Sequence, residues 1–323
     1  MLQNTYFLLP LHKIHKQAEM KINNPSFEIW LQQPGIDGLY RQIERAGRVC
    51  YKSEDHRTKD SARPFVERMM KNKHYAMLEH GTVYLLYKGS EGNGGEALPW
   101  QKYVADRFSK VSAADGNHYV TTNLRVLAEN GWTGDLAHLC EPTSFHERRV
   151  TVHFTTQIAI TREFNRHRVN SIAEQSTRYC NYSKAKFGNE ITINLPLWVR
   201  QEMASSDWAD LITGGTLTLS GKQFMDLSRK VADGSATEID NWVFANIAAE
   251  KTYMNLIAAG RKPQEARVLL PLDTNTELVH TAFVSDWKHF FDLRATGTTG
   301  APHPDAKSLA MPLYEAFKVE GLL

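Results

Sequence analysis

The segment Arg162-Glu163-Phe164-Asn165-Arg166-His167-Arg168-Val169-Asn170-Ser171-Ile172-Ala173-Glu174-Gln175-Ser176-Thr177-Arg178 places four arginines and a histidine within 17 residues. In a chain whose net charge is only +2, this is a local positive well. Guanidinium groups give planar, bidentate hydrogen bonds to phosphate oxygens, and hydroxyls and backbone N–H groups complete such a cradle. The carboxylates of the segment have no use in a pure phosphate site. They suit a ligand that also presents a donor, as a uracil ring does at N3–H or a ribose at its hydroxyls. For Arg-His-Arg taken alone, a solvated helix face with weak ion pairs is the alternative. Ser176 invites a nucleophile reading, but the sequence places no base for it, so it is read as a phosphate or ring contact.

The longer pattern is more specific. Arg166-His167-Arg168, seven residues and then Ser176 resemble the signature of the flavin-dependent thymidylate synthases, with Glu174, Arg178 and Tyr179 where that family has them. Ala46-Gly47-Arg48-Val49-Cys50-Tyr51, His74 with Glu79-His80, Glu265-Ala266-Arg267-Val268-Leu269-Leu270-Pro271 and Trp287-Lys288-His289-Phe290-Phe291-Asp292-Leu293-Arg294 resemble further family blocks, in the family's order.

The resemblance implies an enzyme that converts dUMP to dTMP. Methylenetetrahydrofolate would donate the carbon, and FAD reduced by NADPH the hydride. It implies dUMP contacts at Glu163, Glu174, Ser176, Thr177, Arg178, Arg267 and Arg294, with Arg178, Arg267 and Arg294 carrying catalysis. It implies FAD contacts at Cys50, Glu79, Arg166, His167, Arg168 and His289, and a folate and NADPH side at His74 and Tyr179. It also implies a homotetramer. Cationic donors aimed at the uracil oxygens would stabilise the enolate-like charge that develops when C5 attacks an electrophilic carbon, while the flavin supplies the redox chemistry.

The chain departs from the family at identifiable places. Glu163 stands where Gln is common, Ala173 where Asn is frequent, Ala76 where a hydroxyl is often offered, and Cys50 where Ser is usual. Phe283 and Ser285 replace the Asn and Arg of an Asn-x-Arg block, and the common C-terminal block is not recognisable. These departures keep a second reading open, a nucleotide-binding homologue with impaired flavin chemistry.

The elements that must hold these residues are mixed. A helix is expected after a cap at Asp37, with Leu39, Ile43 and Ala46 on one face, and another over 61–73 capped by Ser61. Residues 81–87 read as a strand. From 88 to about 146 the pattern weakens into a divergent insertion, with a loop at 88–96, a short strand at 119–120 and a short helix over 122–128. Val150, Val152 and Phe154 alternate with polar residues as in a half-buried strand. Residues 157–165 begin a helix, and 166–179 read as its end plus an extended loop. The strongest helix covers 235–259, with a capping box from Ser235 to Glu238, a stripe of Ile239, Trp242, Val243, Ile247, Met254 and Ile257, and Gly260 beyond its end. Pro263 starts the next helix, which carries Arg267 and packs Val268, Leu269 and Leu270 inward. A strand at 277–284 and helices at 285–294 and 304–318 follow. The class is α+β: helices on an antiparallel-type sheet, one catalytic domain over 1–323 with an insertion near 88–146.

Composition narrows the partners. A net charge of +2 argues against a general nucleic-acid or membrane binder, and an RNA-binding module would need a larger cationic excess. No window offers the roughly 18 apolar residues of a membrane span, and the start, with its patch Phe7-Leu8-Leu9-Pro10, lacks the parts of a signal peptide. A cytoplasmic protein is expected. The three cysteines, Cys50, Cys140 and Cys180, form no CxxC pair or disulfide framework, and none has the flanks of the folate-only thymidylate synthase nucleophile. The histidines lack a third ligand at metal-site spacing, so no metal is expected. Gly89 to Gly95 has no Lys-Ser/Thr to close a phosphate loop.

Overall fold

The alternation of Val150, Val152 and Phe154 with Thr151 and His153 is that of a strand with one apolar face, and it forms the strand Arg149–Gln157. In the computed structural model, which describes residues 18–89, 98–206 and 208–323, this strand lies inside a four-stranded sheet. The order is Ser26–Trp30, Arg149–Gln157, Asn275–Phe283 and Ser171–Glu174. Both outer pairings are antiparallel, with Trp30 opposite Thr151 and Leu278 opposite Glu174. The apolar face packs Val152 and Phe154 against Leu278, Trp287, Phe290, Phe291 and the Leu313 and Phe317 side of the helix Pro304–Val319. Full burial of such side chains contributes roughly 1.5–3 kcal/mol each.

The helix Gly35–Tyr51 buries Leu39 and Ile43 in a neighbouring core with Phe65, Leu78, Val83 and Val120. It starts at Gly35, so Asp37 sits in the first turn rather than at the cap. Ser61 does precede the helix Ala62–Lys71, yet makes no capping bond; its hydroxyl accepts the Thr58 amide at 2.8 Å and donates to Glu44 at 2.9 Å.

Residues 98–146 are more ordered than their pattern suggests. Lys110–Ala114 and Asn117–Asn123 join Thr82–Tyr87 in an antiparallel sheet, with Asn117–Asn123 in the middle. The central strand buries Thr121, Thr122 and Asn123, and Ser109 donates to Thr122 Oγ1 at 2.8 Å. Buried polar side chains on successive positions leave no apolar alternation to read. Most of the loop expected at 88–96, like the patch at 7–10, lies outside the described residues.

These elements belong to one compact unit, Pro25–Cys180 with Thr276–Leu323; Met1–Asn24 with Asn181–Asn275 forms a second. The second unit has its own sheet, in the order Thr192–Asn194, Ala18–Asn23, Thr216–Leu219 and Ile212–Thr213. Only the pairing of Ala18–Asn23 with Thr192–Asn194 is parallel among these. The helix Glu238–Ala258 packs there through Ile239, Trp242, Val243, Ile247 and Tyr253. Its capping box is Thr237 with Asp240, two residues beyond the expected Ser235 pair. Pro263 opens the short helix Pro263–Ala266, but Arg267 stands on the 3-10 turn that follows, and Val268 is 78% exposed rather than packed inward. The class is α+β, with antiparallel pairing predominant. Among the described residues no helix is long and apolar enough to cross a membrane.

Candidate functional site

The short helix Ile158–Phe164 is anchored by the fully buried Phe164. Glu163, next to that anchor, is half-buried, and Arg166 lies outside. Arg294 meets them from the far end of the unit. It sits on a π-helical turn, Asp292–Thr296, that extends the helix Val284–Phe291, a local widening often found where a side chain must be re-aimed. Gly297 closes the turn at φ 76°, where a Cβ would stand 2.7 Å from the Gly300 carbonyl oxygen, so the stop requires glycine.

Arg294 donates NH1 to Glu163 Oε2 and NH2 to the Glu163 carbonyl, both at 2.7 Å, and Nε to His167 Nε2 at 3.2 Å. Arg166 shares Glu163 Oε2 at 3.2 Å. Because an arginine Nε–H can only donate, His167 Nε2 carries the lone pair and the ring proton is on Nδ1. Burial first, then the charge of Arg294 and the nearness of His289, lower the His167 pKa to about 4. His167 is therefore neutral near pH 7, and the Arg-His-Arg triplet offers two cations, Arg166 and Arg168, both exposed. His289, also exposed, meets His167 edge-on at 5.8 Å between ring centroids.

A second knot shares the same helix. Part of the segment expected as loop is the strand Ser171–Glu174, paired to Leu278–Thr281. Glu174 Oε1 accepts the Thr161 hydroxyl at 2.8 Å and Oε2 the Asn165 amide at 3.0 Å. Beyond it, the Ser176 amide donates to the Cys50 carbonyl at 2.9 Å, and Ser176 Oγ accepts the Arg178 amide at 3.3 Å. No imidazole bonds that hydroxyl among the described residues. Arg178 lies over the ring of Tyr179, which is 58% exposed and tilted against Tyr51. Thr177, just before Arg178 in the chain, is half-buried.

Glu79 lies on the 3-10 segment Tyr75–His80, and its carboxylate is bonded by Arg125 from the helix Leu124–Asn130. His74 is exposed at the start of that segment. Burial, then the charge of Glu174, pushes the Cys50 thiol up to about 11, and it contacts Met77 Sδ at 3.8 Å. Phe283 is buried, and the Ser285 hydroxyl is bonded to Glu147. Arg267 is exposed on its turn in the second unit. Within the first unit the structure thus brings Glu163, His167, Arg294 and His289 together, and ties Glu174 to them through one helix. Ser176, Arg178 and Tyr179 form a ledge continuing from Glu174.

Sequence reasoning passed over Asn165 and Thr161, which aim Glu174, although both fall inside or beside the segment it singled out. It also missed Glu277, which is bonded by Lys52 and lies 3.0 Å from His153 Nε2. Burial opposes its ionisation, but the His153 and Lys52 bonds win and hold its carboxyl at about 2. The Glu277 carbonyl accepts the amide of Gln175, between Glu174 and Ser176. Lys52 and Glu277 are 225 positions apart, and no local spacing signals their meeting.

An α+β protein with a guanidinium–imidazole–carboxylate knot is what fold and site define. The family model described as thymidylate synthase complementing protein matches residues 108–319, well over half of the chain, and the chain belongs to that family. Comparison with curated proteins gives no match. Among solved structures it is similar to the UMP/dUMP methylase PolB from Streptomyces cacaoi bound with 5-Br dUMP. That likeness has 17% identity and a TM-score of 0.37, and covers 94% of this chain and 99% of that one. For the same methylase bound with 5-Br UMP, identity is 16% and the TM-score 0.40, over 93% and 92% of the two chains.

Proposed function

We propose that the protein methylates dUMP at C5 as a flavin-dependent thymidylate synthase, with methylenetetrahydrofolate as one-carbon donor and NADPH as reductant. Family membership supports the reaction class. The observation that carries the reading is the Arg294 fork, locked onto Glu163 and His167 beside a Glu174 already aimed by Thr161 and Asn165. Arg294 uses three donors there, and a guanidinium has five. The remaining two are free to meet a uracil oxygen or phosphate, while Glu174 oxygens retain lone pairs for a ring N–H. Arg178 and Ser176 form the phosphate ledge, and Arg267 is assigned to the same nucleotide. The whole chain acts as one catalytic protein, assembled as a homotetramer in the cytoplasm.

The donor set fits FAD in part. Arg166, Arg168 and His289 are exposed donors grouped around a neutral His167, chemistry suited to flavin phosphates and ring oxygens. Cys50 and Glu79 are assigned to the flavin's edge, with His74 and Tyr179 on the folate and NADPH side. Phe283 brings no polar group, and Ser285 is engaged by Glu147. When bound, FAD would supply the hydride. The chain's own part is to orient dUMP, neutralise its phosphate and stabilise charge developing on the uracil oxygens.

The same Phe283, together with the capture of Glu79 by Arg125, favours a second reading: a dUMP-binding homologue with impaired flavin chemistry. Purified protein separates the two. The enzyme is yellow, with flavin absorbance, and oxidises NADPH faster when dUMP is added. Colourless protein that binds dUMP without oxidising NADPH establishes the second reading, and absence of dUMP binding defeats both.

A further inference from the structure

Arg149 carries a guanidinium into the first unit without a carboxylate to receive it. NH1 donates to the Glu79 carbonyl at 3.0 Å and the Thr82 hydroxyl at 3.4 Å, and NH2 donates to Ser171 Oγ at 3.0 Å. All three acceptors are neutral, and Nε, sealed from solvent, has no partner. Glu79 sends its own carboxylate to Arg125, so Glu79 and Asp286 act on Arg149 only through space. Burial lowers the Arg149 pKa to about 10. An enclosed guanidinium without its counter-charge is costly to keep, and an anion is what would relieve it.

The space for one is present. Arg149 lines a cavity of about 290 Å³ together with Arg148, Tyr84, Gln33, Cys140 and Glu141. Arg149 is half-buried and borders this cavity. Arg148 is exposed and makes no ion pair among the described residues. Two arginines thus border the space with a single acid, Glu141, and Gly35, where the 17-residue helix begins without a side-chain cap, also lines it. We propose that this cavity binds a small oxyanion, a phosphate or carboxylate group, on Arg148 and Arg149, apart from the nucleotide residues around Arg178 and Arg294. Planar donors in pairs suit either group. The cavity size, near the lower end of ligand pockets, leaves room for a small body attached to it.

The site is for binding rather than covalent chemistry. Cys140 Sγ lies 3.8 Å from His146 Nε2, which resembles a nucleophile and its base. However, His146 Nδ1 accepts the Thr143 amide at 3.1 Å, so Nε2 bears the proton and donates to the Leu85 carbonyl at 3.1 Å. That imidazole has no lone pair for the thiol, and burial raises the Cys140 pKa.

The test uses the full chain with Arg178→Ala, which weakens the nucleotide's own phosphate site. Inorganic phosphate and succinate are each titrated against chloride at matched ionic strength, by calorimetry and by thermal unfolding. The expected result is saturable binding of one or both, with a melting temperature that climbs with ligand. Which of the two binds identifies the anionic group. Arg148→Ala and Arg149→Lys, which keeps charge but loses the planar fork, should each weaken binding by about tenfold or more. Should Arg149→Lys not fold, the exposed Arg148 decides alone. Neither anion exceeding chloride, or equal affinity with Arg148→Ala, overturns the proposal.

Discussion

Arg294 and His167 stand 127 positions apart, yet the guanidinium Nε–H of one points at the imidazole Nε2 of the other across 3.2 Å. Each fixes the other: burial first and then the cation keep the ring neutral, and the ring's lone pair orients the cation's fork. With Arg294→Gln that charge is gone, and His167 should titrate above its present value of about 4, as followed by NMR of the ring protons. Arg294→Lys keeps the charge but cannot hold His167 and Glu163 simultaneously. Turnover of dUMP should fall roughly ten- to hundredfold, the worth of one or two charge-assisted bonds. An unmoved His167 titration in Arg294→Gln, or full activity in Arg294→Lys, would separate the knot from the chemistry.

Glu163 holds Arg294 and Arg166 at once, so it cancels part of the positive charge that the proposed nucleotide site would offer a phosphate. Glu163→Gln preserves an amide oxygen for Arg294 and removes the charge. Affinity for dUMP, measured by calorimetry, should rise about three- to tenfold at low salt, and the gain should shrink as salt screens it. The ion pairs are partly exposed, so the stability change should stay below about 1 kcal/mol. A weaker affinity would mean that the carboxylate itself contacts the ligand.

What could be read in the chain depended on whether the information was local. The strand Arg149–Gln157 and the helix Glu238–Ala258 carry their apolar period on the surface of the sequence, and both lie where that period puts them. The strand Ser171–Glu174 does not, because its four residues acquire their pairing from Leu278–Thr281, more than a hundred positions away. Asn117–Asn123 buries Thr121, Thr122 and Asn123 alongside Val120, so burial there does not follow the apolar residues. In the candidate site, Glu174 was visible as an acid among arginines, but its two donors, Thr161 and Asn165, are ordinary helix residues until the fold aims them. Arg125, which takes the Glu79 carboxylate, sits on the short helix that the pattern did suggest, but its meeting with Glu79, 46 positions away, has no local signal. The departures at Phe283 and Ser285 were legible as residue types. Their consequence, a buried ring and a hydroxyl committed to Glu147, required tertiary partners.

Ser176 discriminates between two kinds of chemistry. Its hydroxyl accepts the Arg178 amide and, among the described residues, bonds no imidazole, so no base is at hand to activate it, and the proposed role of a phosphate contact suits it better. Ser176→Ala should therefore raise KM for dUMP about three- to thirtyfold, the loss of one hydrogen bond to a charged group, while kcat stays within about tenfold. A loss of kcat beyond about a thousandfold with KM unchanged would instead assign it a covalent role, and trapping of a substrate adduct by mass spectrometry would decide the matter.

Acid sensitivity follows from imidazoles that the fold keeps neutral. Burial above all lowers His80 and His280 to about 3, from the usual 6.5. His280 Nδ1 accepts the Asn170 amide at 3.3 Å, and His80 Nδ1 lies 2.9 Å from the Thr281 hydroxyl. In the unfolded chain these rings take up protons as pH drops through 6.5, whereas in the folded protein they do not until near 3. Between those values the unfolded state binds more protons, so the stabilisation is fully present above pH 6.5 and is lost as pH falls through the window. Each such ring contributes a slope of up to about 1.4 kcal/mol per pH unit. Glu250, pushed up to about 7 by burial, offsets about one ring's slope over the same range, and Glu277, held at about 2, adds its own loss only below its ordinary value of 4.5, so the histidines, His167 included, govern the first part of the decline. Urea unfolding between about pH 7.5 and about pH 5 should show stability falling steadily below pH 6.5. His280→Asn, though less stable throughout because it leaves a gap among Phe154, Phe164 and Phe290, should fall less steeply by about one proton's worth. Parallel curves for the two proteins would mean that His280 already exchanges its proton in the native state.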